Sequence, residues 1–163
     1  MTNEIVYIGI GSNLDEPLKQ VQAAITALHE LADSDFHISS LYISSPLAEM
    51  SQPDYVNAVA AFSTSLSAEA LLDALQHIEQ QQGRERDGQK WQARPLDLDL
   101  LLYGQHAIES ARLTVPHPHI SQRDFVLQPL MELAPDLLVP GQGIVAKLVS
   151  RLDQNHIKNI IKQ

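Results

Sequence analysis

Two aspartates, Asp97 and Asp99, stand two positions apart in the run "RPLDLDLLL" at residues 94–102. In an extended strand alternate side chains share a face, so the carboxylates point together while Leu96, Leu98 and Leu100 point to the opposite, buried side. Their Cα atoms would lie roughly 6.6 Å apart by strand rise, within reach of shared hard cations, including an ion pair about 3.5–4 Å apart. Like charges on one face repel unless a cation stands between them. Four of the chain's eleven Lys and Arg residues, Arg84, Arg86, Lys90 and Arg94, crowd into positions 84–94, although the formal net charge is −9. A solvated surface intersperses the two signs, and pairing with Glu85 and Asp87 is the bland alternative for these cations. Cations followed by convergent carboxylates ask instead for a Mg²⁺ site that also holds phosphates. The planar, permanently cationic fork of Arg suits charge that builds on transferring phosphoryl oxygens.

The elements around this stretch are expected to present it to a ligand. Gly83 and Gly88 are hinges in a polar loop whose one large apolar side chain is Trp91, the only tryptophan, and the loop reads as a mobile lid. His117 and His119 in "HPH" share a face in an extended segment, but without cysteine or a third ligand nearby a zinc site is poorly supported. A neutral imidazole bonded to a phosphate or a carbonyl fits better. "GIGSN" lacks the remaining glycines of a dinucleotide fingerprint and the Lys of a P-loop, and reads as a tight strand-to-helix turn. Tyr55, Asn57 and Phe125 taken singly are packing residues.

Stepwise along the chain, "EIVYIGI" predicts a strand, and Leu18, Val21, Ile25, Leu28 and Ala32 recur at helical spacing on what would be one buried face. "FHISSLYISS" alternates with one slip of phase, as in a bulged strand. "YVNAVAAFST" predicts a third strand. Ser67 is a good N-cap for a helix whose buried stripe is Leu71, Leu75 and Ile78, with Glu69 at its positive end. "LDLDLLLY" is the fourth strand, stopped by Gly104. The order β-α-β-β-α-β is that of an α+β, ferredoxin-like sandwich, with helices on one face of a sheet. A C-terminal extension of short helices and loops follows: a helical pattern around Pro129 and a last helix within 143–152. At 163 residues, 1–163 forms a single domain that buries about 70% of its unfolded surface. Zero cysteines fit a reducing compartment. The N-terminal run is too short for a membrane span, so a cytoplasmic protein is expected. The acidic balance argues against nucleic acid as a partner and against a metal nuclease.

Taken together, "IGIGSNL", "QPDYVNAV", "GRERDGQKWQARPLDLDLLLYG", "RLTVPHPHISQRDFVLQPL" and "ELAPDLLVP" resemble one family, the 6-hydroxymethyl-7,8-dihydropterin pyrophosphokinases of folate biosynthesis. The resemblance covers nearly the whole chain and implies transfer of pyrophosphate from ATP to the pterin hydroxymethyl, with release of AMP. It implies that Asp97 and Asp99 bind two Mg²⁺ ions and that Arg84 and Arg94 assist transfer from the lid. Gln76, Glu79, Arg86, Trp91, Leu100, Arg112, Thr114, His117 and Arg123 match nucleotide contacts. The pterin is implied to stack between Tyr55 and Phe125, with Asn57 and residues Ser44, Ser45, Pro46 and Leu47 reading its edge and Trp91 closing over it. ATP and the pterin are the implied partners, and a monomer is expected. The sequence departs from the family pattern at Gln92 and Asp15, where glycine is usual, and carries Lys90 for a frequent arginine. The alternative from another class is a ferredoxin-like module that senses nucleotide without turning it over.

Overall fold

A computed structural model describes residues 3–14, 16–45, 53–82, 95–153 and 155–163. Strand β1 (Glu4–Ser12) buries Val6, Ile8 and Ile10 on one face. It keeps an unbroken ladder of Cα partners from Glu4 to Ser12, so Gly9 and Gly11 lie inside the strand and the expected glycine turn does not form. Helix α1 (Pro17–Leu31) has proline in its first turn, where a missing N–H costs nothing. Val21, Ala24 and Leu28 form its buried stripe. Leu18, expected there, is 44% exposed, because at 100° per residue it sits roughly 90° around the helix from the stripe's centre.

The expected bulged strand is two strands, β2 (Ser34–Ile38) and β3 (Leu41–Ser44), both paired with β4 (Tyr55–Thr64). Between them Ser39 satisfies the backbone of Val59: its N–H donates to the Val59 carbonyl (2.9 Å) and its hydroxyl accepts from the Val59 N–H (2.9 Å). Helix α2 (Ala68–Gln81) is capped by Ser67 Oγ, which accepts from the Ala70 N–H at 3.2 Å, and buries Leu71, Leu75 and Ile78 as expected. Strand β5 (Asp97–Tyr103) closes the motif. The sheet order is β5-β1-β4-β3, antiparallel throughout, as the β-α-β-β-α-β reading requires. The register between β1 and β5 shifts opposite Leu101, which puts Leu101 and Leu102 into the same apolar cluster.

Beyond β5, β6 (Ile108–Glu109) pairs with β7 (Thr114–Val115), and one turn of 3₁₀ helix (Ile120–Gln122) leads into α3 (Asp124–Leu133). Pro129 does not end α3, which runs through it. β8 (Leu138–Val139) pairs with β9 (Gly143–Ile144), and the last helix, α4, is confined to Val145–Ser150. A final strand not anticipated from the sequence, β10 (Ile157–Ile161), pairs with β3 and extends the sheet.

Helices therefore pack on both faces. α1 and α2 cover one face around Ile8, Phe62 and Leu98. The other face, around Val59, Leu101 and Leu127, takes α3 and α4. Glu132 of α3 ties the second layer to the broken strand: its carboxylate accepts from the Ser40 N–H (2.9 Å) and the Tyr42 hydroxyl (2.7 Å).

Burial raises the Tyr42 pKa far above its ordinary value, and the hydrogen bond to Glu132 and that carboxylate's charge raise it further. Burial also raises those of Tyr7, Tyr55 and Tyr103. The unfolded chain then loses its phenol protons first, near pH 10, so this stability is complete below pH 10 and falls as pH rises above it. Tyr42→Phe is expected to cost about 1 kcal/mol near neutrality and to make the alkaline loss shallower. Urea midpoints at pH 8 and pH 11 check it; an equally steep loss in the variant would contradict the assignment.

Candidate active site

The register of three strands builds the site. Asp97 of β5 pairs with Gly11 of β1, Gly11 with Asn57 of β4, and Asn57 with Tyr42 of β3. One pleat further along, Asp99 lies opposite Gly9 and Gly9 opposite Val59. All these side chains rise from the face turned away from α1 and α2, since Leu98 and Leu100 fill the core on the other side. Strands stand about 4.8 Å apart, so Asp97 and Asn57 flank Gly11 with roughly 10 Å between their Cα atoms.

The glycines make a floor. A Cβ added to Gly11 would lie 3.2 Å from Asn57 Oδ1, and one on Gly9 would lie 3.4 Å from Leu101 Cδ2. Asn57 Nδ2 donates to Ser44 Oγ at 2.6 Å, which turns the amide oxygen over Gly11 as an acceptor. Tyr55 stands on the same face of β4 as Asn57, and after burial the negative charge of Asp97 is the second cause of its raised pKa. Asp97 is half-buried and Asp99 exposed.

Two contacts, neither evident in the sequence, hold β5 beneath the aspartates. The Ser12 hydroxyl donates to the Pro95 carbonyl at the entry to the strand. Glu79 of α2, only 4% exposed, accepts from the Leu98 N–H at 2.8 Å, between the two aspartates. β5 is an edge strand, so this carboxylate satisfies a main-chain donor that the sheet leaves open.

His117 comes alongside through its N–H, which donates to the Leu101 carbonyl at 3.0 Å. Its Nδ1 accepts from the His119 N–H at 3.2 Å, so the neutral ring carries its proton on Nε2. Burial lowers the His117 pKa; Asp99 opposes this, and Arg123 and His119 reinforce it. A neutral Nε2–H donor near Asp99 results. Arg123 lines an open depression of about 520 Å³ with Gln122 and Arg151, its guanidinium 5.8 Å from the Phe125 ring centroid.

Residues 7–135 match the family model described as 7,8-dihydro-6-hydroxymethylpterin-pyrophosphokinase. A 2-amino-4-hydroxy-6-hydroxymethyldihydropteridine pyrophosphokinase of Pseudomonas aeruginosa is 52% identical over 146 residues, covering 89% of this chain and 90% of that one. That of Haemophilus influenzae is 47% identical over 154 residues, covering 93% and 96%. The chain belongs to this family. It is an ATP-dependent pyrophosphokinase that acts on a dihydropterin in folate biosynthesis, so a nucleotide sensor without turnover is excluded. Wild-type Plasmodium falciparum HPPK-DHPS solved with pteroate shares the fold, with a TM-score of 0.73 at 11% identity over 92% of this chain and 42% of that one.

Among the residues expected of a pyrophosphokinase site, the structure gathers Asp97, Asp99, Asn57, Tyr55 and Ser44 on one sheet face, with His117 beside Asp99. Others stand differently. The side chain of Leu100 is 3% exposed within the core, so it can meet a nucleotide only through its main chain. Arg112 Nη2 bonds Asp73 Oδ1 of α2 at 2.6 Å and must leave that partner to meet a phosphate. Gln76 is exposed on α2 and Thr114 exposed on β7. Arg84, Arg86, Trp91, Arg94, Pro46 and Leu47, and with them the expected lid, lie outside the described residues.

Glu79→Ala leaves the Leu98 N–H buried without its acceptor and is expected to cost about 1–3 kcal/mol. Glu79→Gln keeps an acceptor oxygen and should cost less. Chemical denaturation of the two variants checks the ranking; equal losses would show that this hydrogen bond does not hold the strand.

Proposed function

We propose that Asp97 and Asp99 hold two Mg²⁺ ions with ATP, and that the pterin lies over the glycine floor toward Asn57. The observation that carries this reading is the shared sheet face of Asp97, Asp99 and Asn57 with only Gly9 and Gly11 between them. The donor set suits the ion: Mg²⁺ takes hard oxygens, needs only one or two carboxylates, and keeps water and substrate phosphates as its other ligands. Bound there, Mg²⁺ would supply positive charge to the phosphate oxygens of ATP.

In this account the chain contributes position and charge, with no covalent intermediate. The pterin hydroxyl attacks the β-phosphorus and gives up its proton to solvent, the bond from that phosphorus to the α-phosphate oxygen breaks, and AMP leaves with that oxygen. His117 donates from Nε2 to a phosphate oxygen without adding a titrating charge. Arg123, Arg86 and Arg112 take nucleotide oxygens, and Gln76, Glu79, Leu100, Thr114 and Trp91 border the nucleotide. Arg84 and Arg94 neutralise charge at transfer. Tyr55 and Phe125 stack on the two faces of the flat pterin. Asn57 Oδ1 accepts from its ring N–H, with Ser44, Ser45, Pro46, Leu47 and Trp91 around its edge. The reaction needs one chain, folded as one domain, and a reducing cytoplasmic setting agrees with the absence of cysteine.

Asp97→Asn and Asp99→Asn should each lower pterin-dependent AMP release at least about 100-fold while the urea midpoint stays near that of the parent. Asp97→Asn should also let the Tyr55 phenol titrate at lower pH, because one cause of its raised pKa is gone. Near-normal turnover of either variant at saturating Mg²⁺ would remove it from the metal site.

A further inference from the structure

We infer that His156, in the C-terminal segment beyond the matched residues 7–135, is a positioning residue for the pterin slot; the inference rests on the proposal that Tyr55, Asn57, Ser45 and Phe125 surround the pterin. The geometry starts from Asp124, the first residue of α3 and only 2% exposed. Its Oδ2 accepts from the main-chain N–H groups of His156 (2.5 Å) and Ile157 (3.3 Å). Its Oδ1 accepts from the Phe125 N–H (3.0 Å) and from His156 Nδ1 (3.0 Å). A carboxylate can only accept, so the imidazole carries a proton on Nδ1.

The same His156 reaches the other wall. Its carbonyl accepts from the Ser45 N–H at 2.8 Å, with the Ser45 hydroxyl at 3.4 Å. Its ring stands edge-on to Phe125, centroids 6.3 Å apart with the planes at 82°. Ile157, the next residue, pairs with Ser44, whose hydroxyl accepts from Asn57. One residue therefore joins the stacking ring on α3 to the edge-reading end of β3. These walls come from residues eighty positions apart; Glu132 ties α3 to Ser40 and Tyr42 at the far end, and His156 makes the link at the Phe125 and Ser45 end. Holding both from the residue just before β10 fixes the width of the slot before a flat ligand enters, which spares an ordering cost on binding.

No hydrogen bond of this bridge goes to a residue assigned to the nucleotide; the one such residue beside it, Arg123, meets only the Phe125 ring, at 5.8 Å from its centroid, so the larger effect should fall on the pterin. The test measures dissociation constants of the pterin, with Mg²⁺ and a non-hydrolysable ATP analogue present, and of the analogue itself. His156→Ala is expected to weaken pterin binding about tenfold and to leave the analogue's affinity within about twofold. His156→Asn, whose Nδ2 can stand where Nδ1 stood, should restore most of that loss, whereas His156→Gln, which carries its amide further out, should not. Equal weakening of both ligands, or equal behaviour of the Asn and Gln variants, would mean a general structural role and overturn the inference. Phe125→Ala serves as the control. If it weakens pterin binding and His156→Ala does not, the inference fails while the pterin site stands; if neither does, the assignment of the pterin site fails with it.

Discussion

The antiparallel register of β4, β1 and β5 is the constraint on which the site depends. Side chains in a sheet alternate with a period of two, so a slip of one residue would send Asp97 and Asp99 into the core and Leu98 and Leu100 to the ligand. Burial of Leu96, Leu98 and Leu100, each under 6% exposed, opposes that slip. Each such side chain is worth about 1.5–3 kcal/mol when fully buried. The hydrophobic effect thus fixes where the carboxylates stand, although neither carboxylate belongs to the core.

A second consequence of the register is the division of labour between faces. α1 and α2 pack on one side, around Ile8, Phe62 and Leu98. α3 and α4 cover the other side around Val59, Leu101 and Leu102, where the shifted register of β5 turns two leucines the same way, and α3 reaches Tyr42 through Glu132. The remaining part of that face keeps Gly9, Gly11, Asn57 and the aspartates. A helix laid there would take both carboxylates out of water, at a cost of several kcal/mol each. The proposed chemistry occupies the part of the sheet that packing leaves open.

Much of this was legible in the sequence because it rests on local periodicity and caps. The alternation in "LDLDLLLY", the Ser67 cap and the leucines of α2 need no tertiary information. Motif resemblance carried the rest of the expected site. What was misread depends on pairing across the chain. Gly9 and Gly11 look like turn residues until nine partners in β4 hold them extended. The break at Ser39 and Ser40 rests on bonds to Val59 and Glu132, 20 and 92 positions away. β10 carries little alternation, with only Ile157 half-buried, and it is a strand because β3 offers an edge. The contact between Asp124 and His156 joins residues 32 positions apart and leaves no local mark in the sequence.

In the proposed reaction β1 is bare at Gly11 so that Asp97 and Asn57 can face the two substrates across it. The most direct measurement is pterin-dependent AMP formation by Gly11→Ala. Gly11 does not need the left-handed region, so the strand should persist and the far-ultraviolet circular dichroism stay unchanged. The added methyl would sit 3.2 Å from Asn57 Oδ1, in the space proposed for the substrate. The account predicts a fall in transfer of at least about tenfold, expressed mainly as weaker pterin binding. A folded Gly11→Ala enzyme with parental affinity and turnover would contradict it.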